Sequence, residues 1–144
     1  MRGMEGVDFG GKHTYFDWGL ILRGQPTVST PKIKARYVDI PGADGALDLT
    51  EALCGRPTYE MRTIEVKLVF TGDRRDWQQK YEDVLTWLHG KTMEITLDSD
   101  REHYFKGRCE VDAYASTVAE GEMVIRCKVQ PYRYSRHDKE GKVL

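Results

Sequence analysis

The 144-residue sequence has few of the features that mark a membrane protein, a disulfide-rich secreted protein or a zinc protein. Its three cysteines, Cys54, Cys109 and Cys127, are an odd number without a CxxC spacing, which argues against a disulfide framework or a structural zinc site. The longest apolar runs are short, as in "LVF" at 68–70, so no segment is long enough to span a bilayer. The start is polar and glycine-rich, unlike a signal peptide, and we expect a cytosolic protein.

The sequence also lacks the short motifs of common enzyme classes. HExxH, GxGxxG, GxxxxGK[ST] and GxSxG are all absent, and the four histidines are scattered. The formal net charge is −1 at pH 7, so a net basic footprint for nucleic acid or an anionic membrane is missing. From the residues alone we predict a domain that is not an enzyme and that binds no cofactor and no metal.

Three short stretches offer reactive or stacking groups, and each has an ordinary structural interpretation. Residues 98–103, "DSDREH", hold three acids and a histidine but lack the glycine and distal glutamate of a calcium loop, and they fit a polar turn. Cys54 is the cysteine expected at the surface, where a nucleophile would need a base beside it. Residues 131–136, "PYRYSR", suit either stacking on single-stranded bases or a closing strand. A small hydrolase and a nucleic-acid-binding β-rich module are therefore the alternatives.

Alternating apolar residues predict a mostly antiparallel sheet. The clearest case is "TIEVKLVF" at 63–70, where every second side chain is apolar. Similar patterns predict strands within 92–98, 104–114 and 122–130. The last two are expected to pair as a hairpin centred near Val118.

That hairpin register makes a specific prediction about two of the cysteines. It sets Val111 opposite Ile125 and Cys109 opposite Cys127, with Ala113 also facing inward. Near the start, Gly10-Gly11 predicts a tight turn between "VDF" and "KHTYF".

One amphipathic helix is predicted over about 74–89. Asp73 is the expected N-cap, Asp76 completes a capping box, and Gly90 ends the helix. His89 would be stabilised as a cation by the helix dipole. The apolar face comprises Trp77, Tyr81, Val84, Leu85 and Leu88. The predicted fold class is α+β, with mostly antiparallel sheets or a sandwich packed against this helix.

Residues 36–50, "RYVDIPGADGALDLT", predict a hairpin with a compound tip. Ile40-Pro41-Gly42-Ala43 suits a type II turn, and Asp44-Gly45 suits a type I′ turn. The hairpin has too few apolar residues to be stable alone. It must therefore lie either on its own core or on another subunit.

Several stretches together resemble a known family. They are "FGGKHTYFDWGL", "YVDIPGADGALDLTEALCGRPTYEMRTIEVKL" and "DWQQKYEDVLTWLHGKTMEITLDSDREHYFKGR", and they span residues 7 to about 134. The sequence resembles the N-terminal domain of distal tail proteins of siphoviruses, the long-tailed, non-contractile phages. We accordingly expect a family-like β-rich domain over 1–134 and a charged flexible tail over 135–144.

The resemblance implies a virion structural protein of the tail tip, made in the cytoplasm of the host bacterium. Such proteins form a ring, usually a hexamer, at the distal end of the tail tube. The implied partners are identical copies, the tail tube protein and the tail-tip hub or baseplate, with DNA passing through without sequence recognition and no membrane.

A ring implies a repeated subunit interface, which we place at the 39–50 corner. The alternative is that the corner is only a turn within the monomer. The residues predicted for the interface are Asp39, Pro41, Gly42, Ala43, Asp44, Gly45, Leu47, Leu49, Tyr59 and Arg62.

Overall fold

A ten-stranded sheet of antiparallel pairs forms the body of the protein, in a computed structural model that describes residues 5–116, 120–137 and 141–144. In chain order the strands are β1 (Val7–Phe9), β2 (Lys12–His13), β3 (Leu20–Leu22), β4 (Thr27–Val28), β5 (Tyr37–Val38), β6 (Leu47–Asp48), β7 (Arg62–Phe70), β8 (Lys91–Leu97), β9 (Asp100–Ser116), β10 (Gly121–Val129), β11 (Arg133–Ser135) and β12 (Lys142–Val143). The single α-helix described, α1, is Trp77–Leu88. No helix in the described ranges is long and apolar enough to cross a membrane.

The strand order is β2-β1-β8-β9-β10-β7-β3, with β4 also on β7 and β11 between β9 and β12. Strands β5 and β6 form a separate two-stranded sheet. The body therefore has the predicted architecture, a mostly antiparallel sheet with one helix, and the fold class is confirmed.

One face of the central strands is apolar and closed by the helix. Every second residue of β7 and β10 is buried, as the alternation predicts. The fully buried large side chains are Phe9, Leu20, Ile64, Leu68, Leu88, Ile95, Met123, Ile125, Val7, Val66, Val84 and Val129. These side chains belong to one apolar cluster. Burying each large aliphatic side chain contributes about 1.5–3 kcal/mol to the stability of the body.

The helix begins later than predicted. Residues Arg74–Asp76 form a 3-10 turn, and Asp73 caps it by accepting the N–H of Arg75 at 3.0 Å. Asp76 makes no capping hydrogen bond, so the predicted capping box is wrong. Gly90 has φ +77° and ends the helix as predicted.

His89 makes a contact that the sequence did not predict. Its Nδ1 accepts the backbone N–H of Val111 at 3.0 Å. His89 thus ties the helix end to β9.

The β9–β10 hairpin has the predicted register up to an irregularity. Val111 pairs with Ile125, and Cys109 pairs with Cys127. The register then shifts by one residue, so that Val124 faces Ala113 and Met123 faces Tyr114. A bulge of this kind moves later side chains to the other face, and Tyr114 packs on Tyr81 with ring centroids 4.5 Å apart. The hairpin centre near Val118 and the side chain of Ala113 lie outside the described residues.

The Gly10-Gly11 turn is confirmed, with φ values of +60° and +102° between the paired β1 and β2. The second strand is shorter than expected because His13 Nδ1 accepts the N–H groups of Tyr15 and Phe16, at 3.0 and 3.2 Å. These bonds close a turn in place of the strand predicted for "HTYF". Further along the chain, the short strand β4 pairs with β7, with Thr27 opposite Glu65 and Val28 opposite Ile64.

The C-terminal stretch is partly in strands. Lys142–Val143 pairs with Arg133–Ser135, and Ser135 N–H donates to Gly141 O at 2.9 Å. The expected flexible tail over 135–144 therefore includes a strand at its far end, while 138–140 lie outside the described residues.

Gly107 allows β9 and β10 to approach closely, and its replacement tests how tightly the sheet is packed. A Cβ at Gly107 would lie 2.1 Å from Lys128 O and 2.5 Å from Val129 Cα. We expect Gly107→Ala to lower the free energy of unfolding by about 1–3 kcal/mol, because backbone atoms must shift. Urea unfolding followed by circular dichroism measures it.

Gly121→Ala is the comparison, because its Cβ would meet the side chain of Trp77 at 2.8 Å rather than backbone. The cost at Gly107 should exceed the cost at Gly121. Equal costs would mean that the strands separate easily at Gly107.

Candidate functional site

Residues 32–60 form an arm, and among the described residues its side-chain contacts with the body come from Arg56 and Tyr59 at its root. Its two sides are linked by Glu60 N–H donating to Lys32 O at 2.7 Å and by the Ile33–Tyr59 bridge. Further out, β5 pairs with β6, with Tyr37 opposite Asp48 and Val38 opposite Leu47. The hairpin predicted for residues 36–50 is therefore confirmed, and it belongs to a sheet of its own.

The arm does not pack on its own core. No residue from 32 to 61 is buried, and every residue from 32 to 48 is exposed. Its large apolar side chains are left in solvent, namely Ile33, Tyr37, Val38, Ile40, Leu47 and Leu53, with Leu53 90% exposed. Of the two supports that the sequence allowed for this hairpin, its own core and another subunit, the structure does not use the first.

The corner at the end of the arm is built largely as predicted. Ala43 N–H donates to Ile40 O at 3.1 Å and Gly42 has φ +81°, as in a type II turn. The type I′ turn predicted at Asp44-Gly45 is wrong, because only Gly45 has a positive φ, +70°. A type I′ turn needs a positive φ at Asp44 too, and the longer 39–46 connection reverses the chain without that strain.

The predicted interface residues divide into two groups. Asp39 to Leu49 lie together on the arm, and from Asp39 to Leu47 all are exposed. Tyr59 and Arg62 lie at the root and bind their own chain. Tyr59 packs edge-on against Tyr132 at 6.2 Å, and Arg62 donates to Ser29 O and Pro131 O at 2.9 and 3.2 Å. Burial, followed by the charge of Arg133, lowers the pKa of Arg62.

Two grooves lie at the root of the arm. The first, about 660 Å³, is lined by Ile33, Ala35, Tyr37, Asp48, Leu49, Thr50, Glu51, Ala52 and Pro57. The second, about 520 Å³, is lined by Lys34, Ala35, Arg36, Leu49, Thr50, Ala52, Leu53, Cys54 and Thr58. Sequence reasoning missed both grooves, because they form only where residues 33–37 lie beside 48–58.

The acids of "DSDREH" are used within the fold. Asp98 accepts from His13 Nε2 and from Gly6 N–H, both at 2.8 Å, and pairs with Arg101. Asp100 pairs with His103 and with Arg133 at 2.7 Å. Among the described residues, no cluster of three or more histidine, cysteine or carboxylate side chains is arranged to hold a metal ion. Asp98 and Ser99 form the turn, and β9 already starts at Asp100.

Two of the three cysteines form a buried thiol pair. Cys127 Sγ lies 3.2 Å from Cys109 Sγ, both residues are buried, and the hydrogen bond between them, together with burial, raises the pKa of the Cys127 thiol. Cys54 is exposed, as predicted. A thiol with a raised pKa is a poor nucleophile at neutral pH.

The "PYRYSR" segment is also engaged by the protein itself. Arg133 is paired with Asp100, and Arg136 binds Thr96 Oγ1 and covers the ring of Tyr104 at 5.2 Å. Tyr134 packs on Tyr104 at 5.7 Å. The segment has the closing-strand structure that was one of its two interpretations.

Comparison with solved structures finds this arrangement of sheet and helix in a phage protein. The Dit protein (gp 19.1) of phage SPP1, described as a paradigm of the hub adsorption apparatus in phages that infect Gram-positive bacteria, aligns with a TM-score of 0.70 at 19% identity. The chain shares the fold of that protein. The alignment covers 90% of this chain and 51% of the Dit chain, so the chain spans about half the length of its match. No protein-family model and no curated protein matches the sequence.

The Asp98 cluster gives a pH-dependent prediction. Burial opposes ionisation of Asp98, but hydrogen bonds from His13, Gly6 N–H and Arg101 outweigh it and lower its pKa in the folded protein. The stabilisation is therefore complete above the ordinary value of 3.8 and is lost as pH falls below it. We expect Asp98→Asn to lower the free energy of unfolding at pH 7 and to flatten its decline below about pH 4.

Urea unfolding across pH measures both effects. Glu94→Gln is the control, because Glu94 is exposed and no ion pair to it is found among the described residues. An Asp98→Asn variant with the pH profile of the wild type would contradict this account of Asp98.

Proposed function

We propose that the chain is a structural protein of a phage tail tip and belongs to the distal tail protein family. In this proposal six copies form a closed ring at the distal end of the tail tube. One side of the ring contacts the tail tube protein, and the other contacts the hub or baseplate. The chain acts by its shape and catalyses no reaction.

The fold shared with the SPP1 Dit protein over 90% of the chain is the observation that carries the proposal. That protein is described as part of a phage adsorption apparatus, and this chain has its architecture at low identity. The resemblance seen in the sequence points to the same family.

The arm gives independent support for self-assembly. A closed ring repeats one heterologous interface, in which a feature of one copy meets a different surface on the next. A projecting hairpin with exposed apolar side chains suits that arrangement, because it presents surface that the monomer leaves in water. The hydrogen bond from Ala43 N–H to Ile40 O restrains the turn, and so does the ring of Pro41. Docking of the tip would therefore remove less backbone freedom.

The charge of the chain is compatible with a channel for DNA. A ring that gripped phosphates through many lysines and arginines would bind DNA strongly by releasing counterions. The formal net charge of −1 avoids such a field around the assembly.

The first test asks whether the chain assembles and whether the arm is required. We expect the wild type to form rings of six in negative-stain images and the matching mass in light scattering. Replacing residues 39–46 by Asn-Gly should give a folded monomer, because Val38 and Leu47 are cross-strand partners that a two-residue turn can join.

Circular dichroism of the shortened variant verifies that the body is folded. A wild type that stays monomeric at every concentration contradicts self-assembly. A shortened variant that still forms rings would contradict the role of the arm and leave self-assembly intact.

The second test keeps the length of the arm and changes only its corner. Gly42 and Gly45 have positive φ, and a Cβ at either position meets no atom within 4 Å. Alanine is strained at a positive φ. Gly42→Ala with Gly45→Ala should therefore add backbone strain of about 1 kcal/mol per site at the corner without disturbing the core. We expect weaker ring formation and an unchanged thermal midpoint of the body. A large fall in that midpoint would indicate that the corner acts within the monomer.

A further inference from the structure

Charge is segregated along the chain at the arm. Residues 23–36 contain Arg23, Lys32, Lys34 and Arg36 and no acid. Residues 37–55 contain Asp39, Asp44, Asp48 and Glu51 and no lysine or arginine. The arm therefore has a cationic segment at its root and an acidic tip, which we define as residues 39–46.

These charges are not neutralised within the arm. In the described part of the chain, no carboxylate lies within ion-pair distance of Lys34 or Arg36, and no cation lies within that distance of Asp39 or Asp44. All four side chains belong to exposed residues. The arm thus carries a pair of unmatched cations and a pair of unmatched carboxylates.

The unmatched cations line a groove with an apolar floor. The groove of about 520 Å³, which we call the root groove, has Lys34 and Arg36 on one side. Leu49, Ala52 and Leu53 form its apolar lining. The first groove carries Asp48 and Glu51 instead, so of the two grooves at the root it is the root groove whose charge is opposite to that of the tip.

The tip has the complementary chemistry. It combines the carboxylates of Asp39 and Asp44 with the apolar Ile40, Pro41 and Ala43. Ile40 is 49% exposed and has no core to enter in its own chain. An apolar wedge flanked by two acids matches an apolar groove flanked by two cations.

The tip of a chain is held away from its own root groove. The paired strands β5 and β6 lie between them, and extended chain rises about 3.3 Å per residue, so Lys34 and Ile40 are roughly 20 Å apart along the arm. A hairpin cannot fold back over that length without breaking its own pairing. The occupant of the groove must therefore come from another molecule.

We propose that the tip of one copy docks in the root groove of the next copy, with Asp39 and Asp44 facing Lys34 and Arg36. This inference rests on the proposed function and specifies the surface that receives the arm. Because tip and groove are different parts of one chain, each copy gives a tip and receives one, which is the head-to-tail contact that closes a ring. Added salt weakens the contact, because its charges lie near solvent.

A charge exchange tests the pairing. Asp39→Lys with Asp44→Lys, and separately Lys34→Glu with Arg36→Glu, should each weaken self-association at least about tenfold by placing like charges together. Combining the four substitutions restores opposite charges across the contact and should restore association. Sedimentation velocity over a range of protein and salt concentrations gives the association constants.

The matched control restores the net charge at a different surface. It combines Asp39→Lys and Asp44→Lys with Lys106→Glu and Lys128→Glu, two exposed cations of the body. This control should remain weak, because its new acids are not at the groove. Circular dichroism and thermal unfolding verify that every variant is folded.

The outcomes separate this inference from the proposed function. If the wild type and all variants assemble equally well, the proposed docking of the tip in the root groove is wrong, and the proposed ring is not contradicted. A four-substitution exchange that fails to recover, or a control that recovers as well as the exchange, also overturns it. A wild type that never assembles contradicts the ring and the docking together.

Discussion

The antiparallel pairing of β10 between β7 and β9 is the constraint on which the rest of the structure depends. It aligns the apolar side of three strands, and Gly107 lets two of them approach closely enough for that side to be continuous. The helix then covers this face, with Trp77, Val84 and Leu88 buried against it. No residue from 32 to 61 is buried in the core, so the body can fold without the arm. The cost is apolar surface left in water, which evolution tolerates most readily where a partner covers it.

Much of this body could be predicted because a strand with one buried face has an apolar side chain at every second residue. The alternation of β7 and the Cys109–Cys127 register follow from that rule, and glycines at 10, 11, 42 and 90 mark turns by their positive φ. The bulge before Tyr114 could not be predicted, since one inserted residue leaves no pattern of its own. Likewise, the hydrogen bond of His89 depends on the Val111 N–H, a partner 22 residues away.

The sequence predicted which residues form the corner, but it did not predict whether the corner packs on the body or stands in solvent. The Pro-Gly and Asp-Gly signals locate the corner, yet the same signals fit a turn packed on the core and a turn standing in solvent. The difference lies in where the apolar residues of the arm have neighbours, which only the tertiary structure decides. Tyr59 and Arg62 illustrate this limit, because they are close to the corner in sequence while their side chains bind the body at Tyr132, Ser29 and Pro131. The root groove needs residues 34–36 beside 49–58, and no local pattern encodes that contact.

Separating the folding unit from the arm has a consequence for assembly. A hairpin of two short strands is marginal in water, so the arm depends on its rooted end for its shape. Its paired strands, its bonded Ile40–Ala43 turn and its Tyr59–Tyr132 contact supply that shape before any partner arrives. Preorganisation lowers the entropy lost on docking, and it matters most in a ring, where the same loss recurs at every interface. Opposite charges at the two ends of the arm add direction, because a tip meeting another tip brings acid against acid. In the ring that we propose, such an arm favours the orientation in which successive copies follow one another around an axis.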